Sequence, residues 1–407
     1  MKKILISAFI GSDNLGDQAI FESIVGRLHK NKDLDLAAFT LDRTKYKTTP
    51  FVRFIETLNP FRVTAEIYRC DLLVIGGGGI IQDETTVYNL IRHTYKAVAA
   101  WVLGKKYMFF AVGISPVRSK VNKILARVVL QNAEAVTVRD SRSKINAQSL
   151  GVTKKIVVTA DPVVGLDVEY KKQISKRPYV IVSLRHWFDI HRYIPVEIAQ
   201  SLSLRSQKDG LKYESFTSTL AQFFDWVIDN YKYRMIFLPF FDQRDDHIAS
   251  DVIAKMNYSN LTKNISKQQT IPDTVSLIAG AECLIGMRLH SLIIGACVNT
   301  PFLALSYSEK VANFTHELGL QQFGHDIEKL SVASLQDCFE RMVSGRKIIK
   351  GTLRRRMHVL KERDDENYKI LEEIIYPAPE SRASARGAGF IKGLEKRRVG
   401  YTPPQEV

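Results

Sequence analysis

DLLVIGGGG (residues 71–79) is the segment that indicates the fold class most clearly, because a continuous apolar run ends there in four glycines. Such a run is typical of a strand buried on both faces of a parallel sheet. Further apolar runs lie on either side of it, at residues 2–9, 34–40, 105–115, 135–140 and 155–161. Segments with helical spacing separate them, at residues 17–30, 89–103, 120–132 and 141–150. This alternation predicts an α/β domain with helices on both faces of its sheet.

The alternation stops at VEYKKQISKRP (residues 168–178), a polar segment typical of a linker, and then restarts. Further strands are predicted at residues 178–185, 233–240, 282–287 and 301–307. We therefore predict two Rossmann-like domains, residues 1–168 and 178–350, with a C-terminal helix at 351–376. A ligand cleft is expected between them, at the carboxyl ends of the strands. The arrangement resembles the two-domain, GT-B-like fold of many sugar-nucleotide glycosyltransferases.

The last residues, 377–407, are rich in small residues, proline, glycine and basic groups. This composition predicts a tail without a stable fold. Its basic cluster of Lys396, Arg397 and Arg398 can contact an anionic membrane surface. A solvated tail explains the same residues.

Charge and composition narrow the classes of partner. The chain carries 58 Lys+Arg against 43 Asp+Glu, a net charge of +15 that favours anionic ligands. No nucleic-acid-binding motif accompanies this charge, so we expect no nucleic-acid partner. No apolar run is long enough to span a membrane, and the N-terminus predicts a strand rather than a signal peptide. The four cysteines form no CxxC pair, which favours the reducing cytoplasm and argues against disulfides.

The loop after the first strand contains the first candidate ligand-binding residues, Asn14, Gly16 and Asp17. The helix that follows offers free backbone N–H groups to an anion or a sugar hydroxyl. Asp17 can take a proton from a substrate hydroxyl, or it can simply cap the helix.

Two further segments of the first domain are candidates. Gly76, Gly77 and Gly78 belong to a loop predicted at the carboxyl end of LLVI, where glycines let a ligand approach the backbone. A tight turn is the alternative explanation. Arg139, at the end of AVTVRD, can face the cleft or form a structural pair with the adjacent aspartate.

The second domain supplies the candidate anion-binding residues. Arg185 ends one predicted strand, and Arg288 and His290 follow another at the start of an apolar helix. Arginine holds a carboxylate or phosphate by two parallel hydrogen bonds. Ser306 and Lys310 follow the next strand, where Tyr307 also lies, and can line the same pocket. No metal-binding motif is present, so no metal is expected.

Five segments occur in a characteristic order: residues 11–20, the glycines 76–79, RDS at 139–141, SLR at 183–185 and RLHS at 288–291. As a set they resemble the polysaccharide pyruvyl transferase family over residues 1–345. One departure is an extra residue in the first loop, where Ser12 and Asp13 precede Asn14. The basic tail lies outside the family pattern.

The resemblance implies transfer of the pyruvyl group of phosphoenolpyruvate to two hydroxyls of a sugar. The product is a cyclic ketal, and phosphate leaves. The acceptor is expected to be a polysaccharide or its lipid-linked precursor, and no cofactor is required. The resemblance also implies that Arg185, Arg288 and His290 occupy donor-site positions.

This chemistry agrees with the residues themselves. Two arginines can hold the carboxylate and phosphate of the donor. Histidine titrates near neutral pH and can protonate the methylene carbon. We therefore assign His290 as general acid, Arg185 and Arg288 as anion clamps, and Asp17 as candidate base.

Two alternatives remain open. A nucleotide-sugar-dependent glycosyltransferase shares the predicted architecture, although no acidic residue that would grip a ribose is evident in the second domain. A basic scaffold that binds an anionic polymer or membrane would account for the charge. It would not need glycines and arginines at strand ends.

Overall fold

The computed structural model describes residues 1–42, 49–57, 59–83, 87–171, 175, 177–187, 207–265 and 269–377. Within them, two parallel sheets with intervening helices confirm the predicted α/β, GT-B-like fold. The domain boundaries proposed from the sequence stay predictions. The tail beyond residue 377, with its cluster at Lys396, Arg397 and Arg398, lies outside the described residues.

The N-terminal sheet has the order β3-β2-β1-β4-β5-β6-β7. Its strands are β1 (Lys2–Ser7), β2 (Leu34–Thr40), β3 (Arg53–Glu56), β4 (Leu72–Ile81), β5 (Tyr107–Ile114), β6 (Ala135–Val138) and β7 (Ile156–Val158). β5 is buried along its whole length, as expected of a central parallel strand covered on both faces.

Helices cover both faces of this sheet. They are α1 (Leu15–Leu28), α2 (Pro60–Arg69), α3 (Tyr88–Val102), α4 (Lys120–Gln131) and α5 (Ser141–Ser149). The apolar sides of α2 to α5 share one core with the sheet, while α1 packs into the other core, which continues into the C-terminal half. The outer surface of α2 to α4 therefore lies on the side of the sheet opposite the core that continues into the second domain.

The C-terminal sheet has the order β10-β9-β8-β11-β12-β13. Its strands are β8 (Tyr179–Ser183), β9 (Arg234–Phe237), β10 (Thr262–Asn264), β11 (Cys283–Gly286), β12 (Phe302–Ser306) and β13 (Gly324–Asp326). Its helices are α6 (Gln207–Tyr231), α7 (Asp242–Lys255), α8 (Ile271–Gly280), α9 (Leu289–Cys297), α10 (Glu309–Glu317) and α11 (Val332–Ser344).

The last helix, α12 (Arg346–Ile375), crosses back to the N-terminal sheet. There Asn367 Oδ1 accepts hydrogen bonds from the hydroxyls of Thr137 (2.6 Å) and Thr159 (2.8 Å). Tyr368 packs edge-on against Phe110 with ring centroids 5.1 Å apart. α12 therefore ties the two halves together.

The glycines of the opening stretch do not form the loop predicted for them. β4 continues through all four to Ile81, with a register shift between Gly78 and Ile81. Packing explains the first two glycines. A Cβ on Gly76 would lie 2.3 Å from the carbonyl oxygen of Phe110, and one on Gly77 would lie 1.9 Å from Ile20 Cγ2.

Within the described part of the chain, no helix combines the length and the apolar character needed to cross a bilayer.

Candidate active site

A cleft that is partly open to solvent lies where the carboxyl ends of both sheets meet. Two backbone contacts close it along one side. The Leu15 amide donates a hydrogen bond to the Phe240 carbonyl at 2.8 Å, and Asn14 and Phe241 form an isolated antiparallel β-bridge. The cleft is lined by Asn14, Asp17, Gly78, Gly79, Gln82, Ser115, Arg139, Arg185, Trp187, Phe240, Arg288, Leu289, His290, Tyr307 and Lys310.

The start of α1 forms one wall. Asn14 caps this helix, because its side chain accepts a hydrogen bond from the Gly16 amide at 2.9 Å. The capping role considered for Asp17 therefore belongs to Asn14. Gly16 lies under the ring of His290, and a Cβ at this position would fall 2.2 Å from Nδ1. A glycine is required here because the imidazole touches the helix backbone.

Asp17 faces the cleft from the first turn of α1. Burial raises the pKa of its carboxyl to about 6, although the charges of His290, Arg288 and Lys310 oppose the shift. A carboxyl with a pKa this close to neutrality can accept and return a proton under physiological conditions.

Of the three glycines proposed to bind ligand, Gly78 is the one that lines the cleft. Its Cα lies beside Asp17, since a Cβ there would be 3.7 Å from Oδ1. Its φ of +84° is a backbone conformation that favours glycine. Gly76 and Gly77 serve packing, as their contacts with Phe110 and Ile20 show.

His290 meets a carboxylate that sequence reasoning missed. Asp161 follows β7, and its Oδ2 lies 3.6 Å from His290 Nε2 and 3.2 Å from an Arg139 guanidinium nitrogen. Arg139 also contacts Asp140 at 3.5 Å, so the structural pairing considered for it is present. Gly113 makes room for this arginine, because a Cβ there would lie 2.8 Å from the guanidinium.

Electrostatics favours an ionised Asp161. Burial alone would raise the pKa of this carboxyl, but its interaction with His290 and the charge of Arg139 outweigh burial and lower it. Asp161 is therefore a negative charge that the N-terminal domain holds against the imidazole of His290.

Arg288 is engaged by a second carboxylate that the sequence did not single out. Its Nε donates to Asp245 Oδ2 at 2.8 Å, and a terminal nitrogen donates to the other oxygen. Asp245 also accepts the backbone amides of Phe240 and Phe241. Two N–H donors of the Arg288 guanidinium are therefore already bound to Asp245. The guanidinium keeps three of its five N–H donors for other partners.

Arg185 and Lys310 flank Tyr307. One guanidinium nitrogen of Arg185 donates to the Tyr307 hydroxyl at 2.5 Å, and its carbon lies 4.6 Å from the ring centroid. Lys310 Nζ lies 5.4 Å from the same ring. Trp187 packs on the tyrosine, with ring centroids 4.6 Å apart. Ser306 ends β12 opposite Asp326 of β13, and is outside the set that lines the cleft.

These cations change the acidity of Tyr307. Burial would raise the pKa of the phenol, but Arg185, Lys310 and Arg288 lower it to about 7. Burial also lowers the pKa of Lys310 and of Arg185. The cleft therefore has a strongly positive potential at this point.

Sequence signals for the missed residues were weak but present. Asp161 ends an apolar run and precedes a proline, which is the strand-end position used to choose the arginines. Asp245 lies within a helix, eight residues after β9 ends, and nothing local connects it to Arg288. Among residues that the structure describes, no group of three His, Cys, Asp or Glu is placed to hold a metal ion.

Solved structures with a similar fold include S. aureus MnaA with UDP (12% identity, TM-score 0.63, 92% of this chain and 96% of that one). Another is UDP-GlcNAc 2-epimerase from Neisseria meningitidis with UDP-GlcNAc (11%, TM-score 0.57, 92% and 100%). A third is Anabaena Alr3699/HepE with UDP-glucose (12%, TM-score 0.59, 94% and 100%). At these identities the likeness concerns the fold alone.

Sequence comparison is more specific. The amylovoran biosynthesis protein AmsJ of Erwinia amylovora is 20% identical over 282 residues, which cover 67% of this chain and 65% of AmsJ. The alignment thus spans slightly less than two thirds of the relative. The family model described as polysaccharide pyruvyl transferase matches residues 14–309, which include the whole set of cleft-lining residues except Lys310. The chain belongs to the polysaccharide pyruvyl transferase family.

Proposed function

We propose that this protein transfers the pyruvyl group of phosphoenolpyruvate to two hydroxyls of a sugar, forming a cyclic ketal and releasing phosphate. The acceptor is a polysaccharide or its lipid-linked precursor. Family membership and the similarity to an amylovoran biosynthesis protein support this proposal.

One observation supports an anionic donor most directly. In the described part of the chain, Arg185 and Lys310 both contact Tyr307, and no salt bridge ties either cation to a carboxylate. Both side chains are half-buried, and cations that are partly removed from water without a carboxylate partner favour a bound anion. Phosphoenolpyruvate carries a carboxylate and a phosphate close together, and so supplies that charge.

In this proposal the donor lies between Arg185, Lys310 and the free donors of Arg288. Asp245 fixes the plane of the Arg288 guanidinium, which leaves a preorganised edge for a carboxylate or phosphate. Tyr307 in its neutral form can add an O–H donor at the same anion.

The proposed reaction removes one proton from each acceptor hydroxyl and delivers two, one to the methylene carbon and one to the departing phosphate. His290 protonates the methylene carbon, and C2 becomes cation-like. One acceptor hydroxyl bonds to C2 and passes its proton to Asp17, and the C2–O bond to phosphate breaks. The second hydroxyl then bonds to C2 and passes its proton to the departing phosphate, while the proton held by Asp17 replaces the one that His290 gave up. Over the cycle, one hydroxyl proton ends on the new methyl group and the other leaves with phosphate.

The N-terminal wall suits a sugar acceptor. Asn14, Gly78 and Gln82 present amide and backbone groups beside Asp17, without bulk at Gly78 and Gly79. We place the reaction in the cytoplasm, where phosphoenolpyruvate is formed.

The test is to incubate the purified full chain with phosphoenolpyruvate and saccharide acceptors and measure phosphate release. Mass spectrometry of the acceptor should show the pyruvyl increment. UDP-sugars, tested in parallel, should give no glycosylated product. Transfer of a sugar from UDP, with no phosphate released from phosphoenolpyruvate, would replace this function by glycosyl transfer.

A further inference from the structure

The outer surface of the N-terminal domain carries apolar side chains that no element of the described part of the chain covers. On α3, Tyr88, Ile91, Tyr95 and Val102 are exposed and recur at helical spacing. Val102 is 74% exposed. The opposite side of α3 packs on the sheet, so this helix is apolar on two sides.

The neighbouring helices extend the surface. α2 and α4 each pack against α3. Phe61 on α2 is 85% exposed and Val121 on α4 is 68% exposed. Tyr68 on α2 and Ile124 on α4 are also exposed. Isolated exposed apolar residues are common, but a patch across three adjacent helices marks an interaction surface. We call the exposed side of α2, α3 and α4 the α2–α4 face.

The charges on these helices have one sign. α3 and α4 contain no carboxylate, and the one carboxylate of α2, Glu66, is buried and paired with Arg53. Glu66 also pairs with Arg69. The exposed basic side chains on the three helices that have no carboxylate partner among the described residues are Arg62, Arg92, Lys120, Lys123 and Arg127. The face therefore combines insertable apolar groups with uncompensated positive charge.

We propose that the α2–α4 face docks on an anionic lipid bilayer. Aromatic and aliphatic side chains at this density enter the headgroup boundary, and the basic residues interact with anionic headgroups. A protein partner with a purely apolar surface would leave the basic residues unpaired. Charge complementarity therefore favours lipid over a second copy of this basic chain, and the binding does not depend on the proposed reaction.

Docking in this way brings the membrane to the cleft. Gly79 and Gln82 lie shortly before α3, and Ser115 lies shortly before α4, and all three line the cleft. Both helices thus begin at its rim, where a saccharide on a lipid carrier can reach the N-terminal wall.

The experiment is co-sedimentation of the full chain with vesicles of phosphatidylcholine, with or without phosphatidylglycerol. The wild type should bind vesicles that contain phosphatidylglycerol and release from them at high salt. Lys123→Glu/Arg127→Glu should lower the partition coefficient by about tenfold or more, because each basic residue near the surface contributes. Ile91→Ser/Ile124→Ser should also lower the partition coefficient on vesicles that contain phosphatidylglycerol, because fewer apolar side chains enter the headgroup boundary.

Matched controls lie on α12. Ile348 is 76% exposed, so Ile348→Ser tests a similar apolar residue elsewhere, and Arg354→Glu/Arg355→Glu tests exposed charge elsewhere. Both should bind like the wild type, and thermal unfolding should show that every variant folds.

Three outcomes would overturn the proposal. Equal losses in the control and face variants would indicate nonspecific attraction, and unchanged binding of the face variants would assign it to another segment such as the tail. A dimer that the face variants disperse, without vesicle binding, would make a second copy the occupant.

Discussion

His290 and Asp161 contact each other with Nε2 and Oδ2 3.6 Å apart, although the histidine lies in the first turn of α9 in the second domain and the aspartate follows β7 of the first. Among the described residues, Nε2 is buried and has no hydrogen-bond partner within normal distance. The proposed general acid is therefore oriented by the opposite domain, so its geometry depends on how the two halves pack.

Asp161→Asn should lower the rate of phosphate release about ten- to a hundredfold, since a charged contact contributes about 1.5–3 kcal/mol. His290→Ala should lose at least about a hundredfold, as expected for a general acid. Because Asp161 acts through His290, the double variant should be little worse than His290→Ala alone. If the double variant lost activity by the product of the two single losses, Asp161 would not act through His290. Asp167→Asn, on an exposed aspartate, is the control.

Gly16→Ala should abolish most activity, because the new Cβ would collide with the His290 ring at 2.2 Å. Gly26→Ala is the matched control in the same helix, where a Cβ meets nothing within 4 Å. It should retain activity and gain up to about 1 kcal/mol of unfolding free energy from helix propensity. Phosphate release and urea unfolding test both. A fully active Gly16→Ala enzyme would show that the imidazole position does not matter.

Asp17→Asn should stabilise the fold while lowering activity. Since burial raises the folded-state pKa from 3.8 to about 6, the ionised form is disfavoured, and this loss of stability grows from about pH 4 to pH 6 and persists above. The variant should therefore unfold at a higher temperature than the wild type above pH 6, and the two unfolding temperatures should differ little below pH 4. Activity of the wild type should rise with pH through about 6, and the variant should lose at least about a hundredfold. Wild-type turnover in Asp17→Asn would exclude it as the base.

Tyr307→Phe tests whether the ionisation of this phenol controls the affinity of the cleft for an anionic donor. With a pKa of about 7, the wild-type phenol is neutral at lower pH and a phenolate above it, where it competes with an anionic donor for Arg185 and Lys310. Calorimetry should show phosphoenolpyruvate affinity falling about tenfold between pH 6 and 8.5 in the wild type, as expected for one added charge. The fall should be much smaller in the variant. An identical pH profile would contradict the assignment.

The same shift links Tyr307 to stability. The folded-state pKa of the phenol is below its ordinary value of 10. The stabilisation that the ionised phenol adds to the free energy of unfolding is therefore fully present above pH 10 and is lost as the pH falls through about 7. Absorbance titration near 295 nm, as a difference between wild type and Tyr307→Phe, should show one phenol that ionises near pH 7.

Asn367→Ala should destabilise the protein by about 1–3 kcal/mol, because Thr137 and Thr159 would lose a buried acceptor. Urea unfolding measures the change. Glu366→Ala, an exposed neighbour paired with Lys369, should change stability by less than about 0.5 kcal/mol. Equal effects would show that the network does not hold α12 on the N-terminal sheet.

Several site residues could be predicted because parallel sheets bring strand ends to one edge. Arg185, His290 and Lys310 follow three different strands, and the structure brings all three into one cleft. The glycines 76–79 misled prediction, since local sequence cannot distinguish a ligand loop from a strand pressed against Phe110 and Ile20. Asp245 and Asp161 were missed because their partners lie 43 and 129 positions away in the chain.

The alternating strands and helices, the two-sheet architecture and the family could be predicted from the amino-acid sequence, because hydrophobic periodicity and short motifs are local properties. Tertiary structure alone decided that Arg288 is held by Asp245, that His290 faces Asp161 and that Tyr307 lies between two cations. Charge pairing, burial and the resulting pKa values depend on distances between residues remote in the chain, which no local pattern encodes.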